Sequence, residues 1–260
     1  MPLAGNGHSP ALGRRIGSGK EAEVFAFGDA VIKLYKTGVP KRTVFREAAA
    51  LAQAESLGLP VPSIGGVRQI DGRWGMVMDR VDGRSLADVI DAQPAEKEAR
   101  LKEMAVLHRG IHACQATFFG SLKARLEADI RRAAPLGEGQ RRRLLDDLAA
   151  LPDGDRLCHG DFHPWNVLGW PSRLSVIDWM AASRGSPAAD VCRSYVLMRS
   201  IAPDMASSYV EAYTQVFGER LADVLQWLPV VAGARLAEGV PDEVDDLMAM
   251  LESRNQAGTQ

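Results

Sequence analysis

The hydrophobic pattern divides the chain into two parts. In the first eighty residues apolar positions come in short runs of strand length. "EVFAFGDAVIKLY" holds two such runs around Gly28-Asp29, and "GVRQIDGRWGMVM" repeats the arrangement around Asp71-Gly72. Each reads as a hairpin, because glycine readily takes the positive φ of a tight turn. Between them Val44, Ala48, Leu51, Ala52 and Glu55 recur at helical spacing, which predicts a helix from Thr43 to Ser56 closed by Gly58, Pro60 and Pro62. After Met78 the period changes. Ser85 caps a predicted short helix through Ile90, and Glu96 to His112 repeats apolar residues along one face. Further helices are predicted near 121–133, 139–150, 188–199, 204–217, 219–238 and 242–253, interrupted by the strand-like pieces "RLCH" and "RLSVIDW".

The expected fold class is therefore α+β and bilobal. A β-rich lobe, 1–79, holds an antiparallel sheet and one helix. A mainly helical lobe, 80–260, follows a hinge at "DRVDGRS". No internal repeat is visible, and the tail "SRNQAGTQ" is expected to be disordered.

Composition narrows the function classes. The chain has 260 residues, 46% hydrophobic and 25% charged, with a net charge of -2. That is a globular profile with no bulk electrostatic signature of nucleic-acid or membrane-surface binding. "MPLAGNGHSP" lacks the apolar core of a signal peptide, and no apolar run is long enough to span a bilayer. Cys114, Cys158 and Cys192 are widely spaced and odd in number, which suits a reducing cytoplasm better than a disulfide framework.

Candidate chemistry begins in "RRIGSGKEAEVF". Gly17 and Gly19 lie between strand signals, where the absence of a Cβ lets backbone N–H groups approach a polyanion. A short G-x-G alone is more often a turn, and the strand that follows argues against a dinucleotide-binding βαβ unit. Lys33 stands among apolar residues in "AVIKLY". Alternation puts Ile32 and Leu34 on one face and Val31, Lys33 and Tyr35 on the other. A lysine there needs a partner, and Glu47 in "FREAAAL" is the natural one. Alone, the strand reads equally well as an edge strand with a surface lysine.

"CHGDFHPWNVL" carries the most information. Its H-x-D-x-x-x-x-N spacing is that of phosphoryl-transfer catalytic loops, and "VIDW" brings a further aspartate about a dozen residues later. An aspartate can orient a hydroxyl and accept its proton, while an asparagine oxygen and a second aspartate offer hard ligands to Mg²⁺. Zinc fits less well with so oxygen-rich a set. A purely structural His-Asp turn is the competing reading, outweighed once Lys33 and the glycine loop stand upstream in order.

With these stretches, and with "GSPAADVCRS", the chain resembles the aminoglycoside phosphotransferase family of protein-kinase-like small-molecule kinases from Ile16 to about Ser194. The resemblance implies a kinase that uses ATP and Mg²⁺ to phosphorylate a hydroxyl of a small molecule. It implies Asp161 as the catalytic aspartate, and Asn166 and Asp178 as metal ligands. Lys33, paired with Glu47, would contact the α- and β-phosphates, under a loop of Gly17, Ser18 and Gly19. Met78 would back the adenine pocket, with backbone groups of Asp79 and Val81 at the adenine edge. Asp190 would steady the catalytic loop near His159. The glycine loop has Ala22 where many protein kinases have a third glycine, and Trp179 and Met180 follow Asp178 where protein kinases carry Phe-Gly. The loop also resembles that of RIO-type atypical protein kinases, and a nucleotide-binding regulator without transferase activity is the third reading. Trp165 departs from the small residue common in the family.

Other features are weighed as structure. His108 and His112 are spaced i, i+4 and read as helix packing, with no third metal ligand evident. Arg141 to Arg143 read as a solvated face. Tyr209, Tyr213 and Trp227 read as core. "EGVPDEVDDL" could attract a polycationic sugar, but ordinary surface charge at a helix start is the preferred reading.

Overall fold

The computed structural model describes residues 11–257. The expectation of no signal peptide concerns residues that, up to Pro10, lie outside this range. Five strands come first: β1 (Arg15–Ser18), β2 (Ala22–Phe27), β3 (Ala30–Tyr35), β4 (Ile64–Ile70) and β5 (Arg73–Asp79). They form one antiparallel sheet in the order β1-β2-β3-β5-β4. In the β4–β5 turn Asp71 and Gly72 both take positive φ, 48° and 77°, the geometry whose twist matches the strands it joins. Helix α1 (Lys41–Ser56) crosses between β3 and β4, starting two residues earlier than its apolar spacing suggests because Pro40 occupies the N-cap.

The alternation along β3 holds. Ile32 and Leu34 pack with Phe27 in one cluster, while Tyr35 packs with Val44 of α1 on the other face. Because β3 has a neighbour on each side, Lys33 lies in the middle of a sheet and not on an edge.

Past Asp79 the chain is mainly helical. After β6 (Arg84–Ser85) come α2 (Leu86–Ala92), α3 (Lys97–Ala113), α4 (Leu122–Arg132) and α5 (Glu138–Ala150). Ser85 caps α2 as expected, its Oγ accepting the Asp88 N–H at 3.0 Å. Four short strands follow, β7 (Arg156–Cys158), β8 (Val167–Trp170), β9 (Ser175–Val176) and β10 (Ser183–Gly185). β7 pairs with β10, and β8 lies between β6 and β9. The closing helices are α6 (Pro187–Arg199), α7 (Pro203–Phe217), α8 (Leu221–Leu225), α9 (Leu228–Arg235) and α10 (Val244–Ala257).

Three expectations change. The single helix at 219–238 is split into α8, α9 and a 3₁₀ turn, because Pro229 has no N–H for the Leu225 carbonyl and occupies the first turn of α9. Helix α10 runs on to Ala257, so the start of "SRNQAGTQ" is helical. Arg141 is half-buried and donates to the carbonyls of Ile130, Ala133 and Leu136, so it belongs to a loop-closing contact and not to a solvated face.

The main core fills the helical part, with Tyr209, Tyr213 and Trp227 fully enclosed. Among the described residues no helix is long and apolar enough to cross a membrane. The sheet is tightly fitted next to Lys33, where Gly75 pairs with Leu34. A Cβ on Gly75 of β5 would lie 2.7 Å from Ile32 Cδ1 and 3.1 Å from Leu34 Cδ1. Gly75→Ala is expected to destabilise the protein by about 1–3 kcal/mol through overpacking, measured by urea denaturation. An unchanged midpoint would show that the two side chains give way freely.

Candidate active site

The cleft-facing groups are set by two buried charges. The first is Lys33. Its Nζ lies 2.7 Å from Glu47 Oε1 of α1 and 3.0 Å from Asp178 Oδ1. Burial works against the ammonium charge, but Asp178 and then Glu47 outweigh it and hold the Lys33 pKa above that of an ordinary lysine. The Tyr35 hydroxyl donates to the other oxygen of Glu47, a partner that the sequence did not suggest. Burial, then the Glu47 carboxylate, push the Tyr35 pKa up, so it stays a donor.

Asp178 was expected to end a strand, but β9 stops two residues earlier. Ile177 N–H instead donates to the Asn166 carbonyl at 3.0 Å, and Asp178 turns into the left-handed region with φ 66°. Aspartate tolerates that conformation better than most residues. The turn brings its carboxylate to Lys33.

The second buried charge is Asp190 on α6. Its Oδ2 accepts the His159 N–H at 2.6 Å and its Oδ1 the Gly160 N–H at 2.8 Å. His108 and His112 of α3 reach the same carboxylate through Nε2, at 2.9 and 3.2 Å. A carboxylate cannot donate, so both Nε2 atoms carry the hydrogen, and both Nδ1 atoms accept from the hydroxyls of Tyr209 and Tyr213. The sequence offered no third group for the histidine pair, and Asp190 is that group. The ligand-type atoms lie within 4.8 Å of one another, yet each is already engaged in this hydrogen-bonded network, which keeps the packing reading.

Between these anchors lies the loop itself. Gly160 has φ 79°, and a Cβ there would lie 2.4 Å from the Ala181 carbonyl oxygen. The His159 ring faces the Ile177 carbonyl at 3.0 Å. Asn166 Nδ2 donates to the Asp161 carbonyl at 2.9 Å and to Asp161 Oδ2 at 3.1 Å, which leaves the Asn166 amide oxygen available as a ligand. His163 sits with Nε2 3.7 Å from Asp161 Oδ2. Burial raises the Asp161 pKa, but the contact and charge of His163, with Arg193 and His159 beyond, outweigh it and hold the carboxyl below the usual range. Trp165 packs against the main core, next to the His163 ring.

The glycine loop connects β1 to β2 through a turn in which Gly19 N–H donates to the Ala22 carbonyl at 2.8 Å. A Cβ on Gly17 would make only ordinary contact with Val24, at 3.6 Å, so the sheet itself does not demand glycine there. Ser18 pairs with Glu23 at the strand end. On the far side of the cleft Met78 packs on the main core, and the Asp79 N–H is taken by the Ser63 carbonyl at 2.9 Å.

A sheet-and-helix pair enclosing a lysine, two aspartates and an asparagine defines the class as protein-kinase-like. The phosphotransferase enzyme family (APH) matches residues 13–228, and the chain belongs to that family. Solved structures agree on the fold. A thermostable mutant of aminoglycoside phosphotransferase APH(4)-Ia is 18% identical, with 96% of each chain covered and a TM-score of 0.70. Aminoglycoside-3'-phosphotransferase of type VIII is 20% identical, with 88% of this chain and 92% of that one covered and a TM-score of 0.60. The streptomycin-ATP complex of APH(2")-IIa is 16% identical, with 94% of each chain covered and a TM-score of 0.62. No curated protein sequence matches the chain.

The Asp190 network makes stability depend on pH. Burial, then His112, push the His108 pKa down to about 3 against the pull of Asp190. Burial also lowers the His159 pKa. Asp190 itself is held well below its ordinary value, since the His108 and His112 hydrogen bonds outweigh burial. Groups with depressed folded-state pKa values stabilise fully above their unfolded values and lose that contribution as pH falls. The unfolding free energy is therefore expected to drop from about pH 6.5 downward, by up to about 1.4 kcal/mol per pH unit for each of His108 and His159. Chemical denaturation across pH 4–8 checks this. His108→Gln should flatten the slope, and a wild-type curve that is level from pH 7 to 5 would overturn it.

Proposed function

We propose that the protein transfers the γ-phosphoryl group of ATP to a hydroxyl of a small molecule. The observation that carries this reading is the meeting of Lys33, Glu47 and Asp178 opposite the hydrogen-bonded pair Asp161 and Asn166. Similar proteins support it. APH(4)-Ia has been solved in ternary complexes with hygromycin B and either ADP or AMP-PNP, and APH(2")-IIa with streptomycin and ATP.

In this reading the Asp79 carbonyl and Val81 N–H meet the adenine edge, with Met78 behind. Gly17, Ser18 and Gly19 cover the phosphates with backbone N–H groups. Lys33, held by Glu47, contacts the α- and β-phosphates. Two hard oxygen donors, the Asn166 amide oxygen and the Asp178 carboxylate, suit Mg²⁺ and would hold it. Bound there, the ion would supply charge neutralisation on the phosphates. Asp161 orients the acceptor hydroxyl. A carboxylate held below the usual range is a weak base, so it takes the proton late, as bonding to phosphorus develops. His159 and Asp190 touch no substrate in this scheme; they fix the loop that carries Asp161.

The test is ADP release from ATP and Mg²⁺ across a panel of hydroxyl acceptors. Asp161→Ala is expected to lower turnover by about 10²–10⁴-fold while AMP-PNP affinity is retained. Near-wild-type turnover in that variant would remove Asp161 from the chemistry.

A further inference from the structure

Several arginines and carboxylates cluster around the loop that carries Asp161. Arg193, three residues after Asp190 on α6, donates from Nε to the Gly160 carbonyl at 3.3 Å and from Nη2 to Glu238. Arg125 of α4 donates to the Ala181 carbonyl, and its Nη2 would lie 2.9 Å from a Cβ placed on Gly160. Two guanidinium groups thus converge, from two helices, on the residue that directly precedes Asp161. Arg235 of α9 holds Glu243 at 2.6 and 2.8 Å and also reaches Glu238. Lys20, at the tip of the glycine loop, donates to the Glu238 carbonyl at 3.1 Å.

Within the acidic run "EGVPDEVDDL", Asp242 and Asp245 are exposed at helix starts, as surface charge would be, whereas Glu238, Glu243 and Asp246 are tied up in ion pairs. Glu238 and Glu243 are both occupied by arginine, Glu243 is only 7% exposed, and Asp246 pairs with Arg199 at 3.2 Å. The group left over is a cation. Arg125 is half-buried, the one hydrogen bond of its guanidinium among the described residues goes to a backbone carbonyl, and no carboxylate forms an ion pair with it there. Burial, then the Arg193 guanidinium, push its pKa down. A guanidinium partly withdrawn from water is costly unless an anion joins it, and its planar fork matches the two oxygens of a carboxylate or phosphate.

We propose that the acceptor carries an oxyanion, a carboxylate or a phosphate, on the same small molecule as its reacting hydroxyl, and that Arg125 and Arg193 hold that oxyanion beside Asp161. The proposal rests on the phosphotransferase reading and names the acceptor class for it. A polycationic amino sugar would bring a like charge to Arg125.

Two measurements test it. In the first, Mg²⁺ and AMP-PNP are present to fill the nucleotide site, and sulfate is compared with chloride at constant ionic strength by thermal shift. Sulfate is expected to raise the wild-type Tm above the chloride control, Arg125→Gln to lose that response, and Arg125→Lys to keep part of it. In the second, ADP release is compared for D-glycerate, glycerol 3-phosphate, glycerol and kanamycin. One of the two anions should exceed glycerol in kcat/KM by about tenfold or more, and Arg125→Gln should erase the difference. Which anion is preferred distinguishes carboxylate from phosphate. A sulfate response that is absent in the wild type or unchanged in Arg125→Gln would overturn the oxyanion site, as would kanamycin or glycerol proving the better acceptor. A protein that shows the Arg125-dependent sulfate response but no response to AMP-PNP would keep the site and overturn the kinase reading.

Discussion

One ammonium group organises the cleft. Lys33 sits in the middle of a five-stranded sheet, where an unpaired charge would be costly. It contacts Glu47 from α1 and Asp178 from the helical part at the same time. Glu47 is enclosed, so losing it would leave the Lys33 charge short of its buried partner, while Asp178 is 37% exposed and solvent weakens its share; together the two contacts tie the three elements to each other. The Tyr35 hydroxyl fixes the remaining oxygen of Glu47, which prevents the carboxylate from rotating away.

A second carboxylate does the same work from the other side. Asp190 collects two backbone N–H groups of the catalytic-type loop and two imidazoles of α3. The loop contributes little regular structure of its own, so its shape depends on these contacts and on Gly160, whose left-handed backbone lies hard against Ala181. The two anchors meet through His159, which is bonded by its N–H to Asp190 and faces by its ring the carbonyl of Ile177, next to Asp178. Arg193 and Arg125 then add a positive wall against the same loop.

Much of this was legible in the sequence, for physical reasons. Period-two alternation around Lys33 and the turns at Gly28-Asp29 and Asp71-Gly72 are local signals, and they gave the sheet. The Lys33–Glu47 pairing followed from the cost of leaving a charge alone on an apolar strand. The Asp161 and Asn166 pair followed from spacing. What remained hidden depends on distant contacts. Asp190 completes the His108 and His112 pair from a position 78 residues away from His112, which no periodicity can reveal. Arg125 and Arg193 look like ordinary helix-surface arginines until folding brings both to Gly160. The break at Pro229 was written in the sequence, but the apolar run on both sides of it suggested one continuous helix.

The most direct measurement of the central claim is a crystal structure of the protein with AMP-PNP and Mg²⁺. The account predicts a triphosphate lying between the glycine loop and Lys33, with Lys33 still paired to Glu47. Oxygens of Asn166 and Asp178 should surround the metal at about 2.1 Å, the usual distance for magnesium. A nucleotide bound away from Lys33, or a metal held by neither Asn166 nor Asp178, would contradict it.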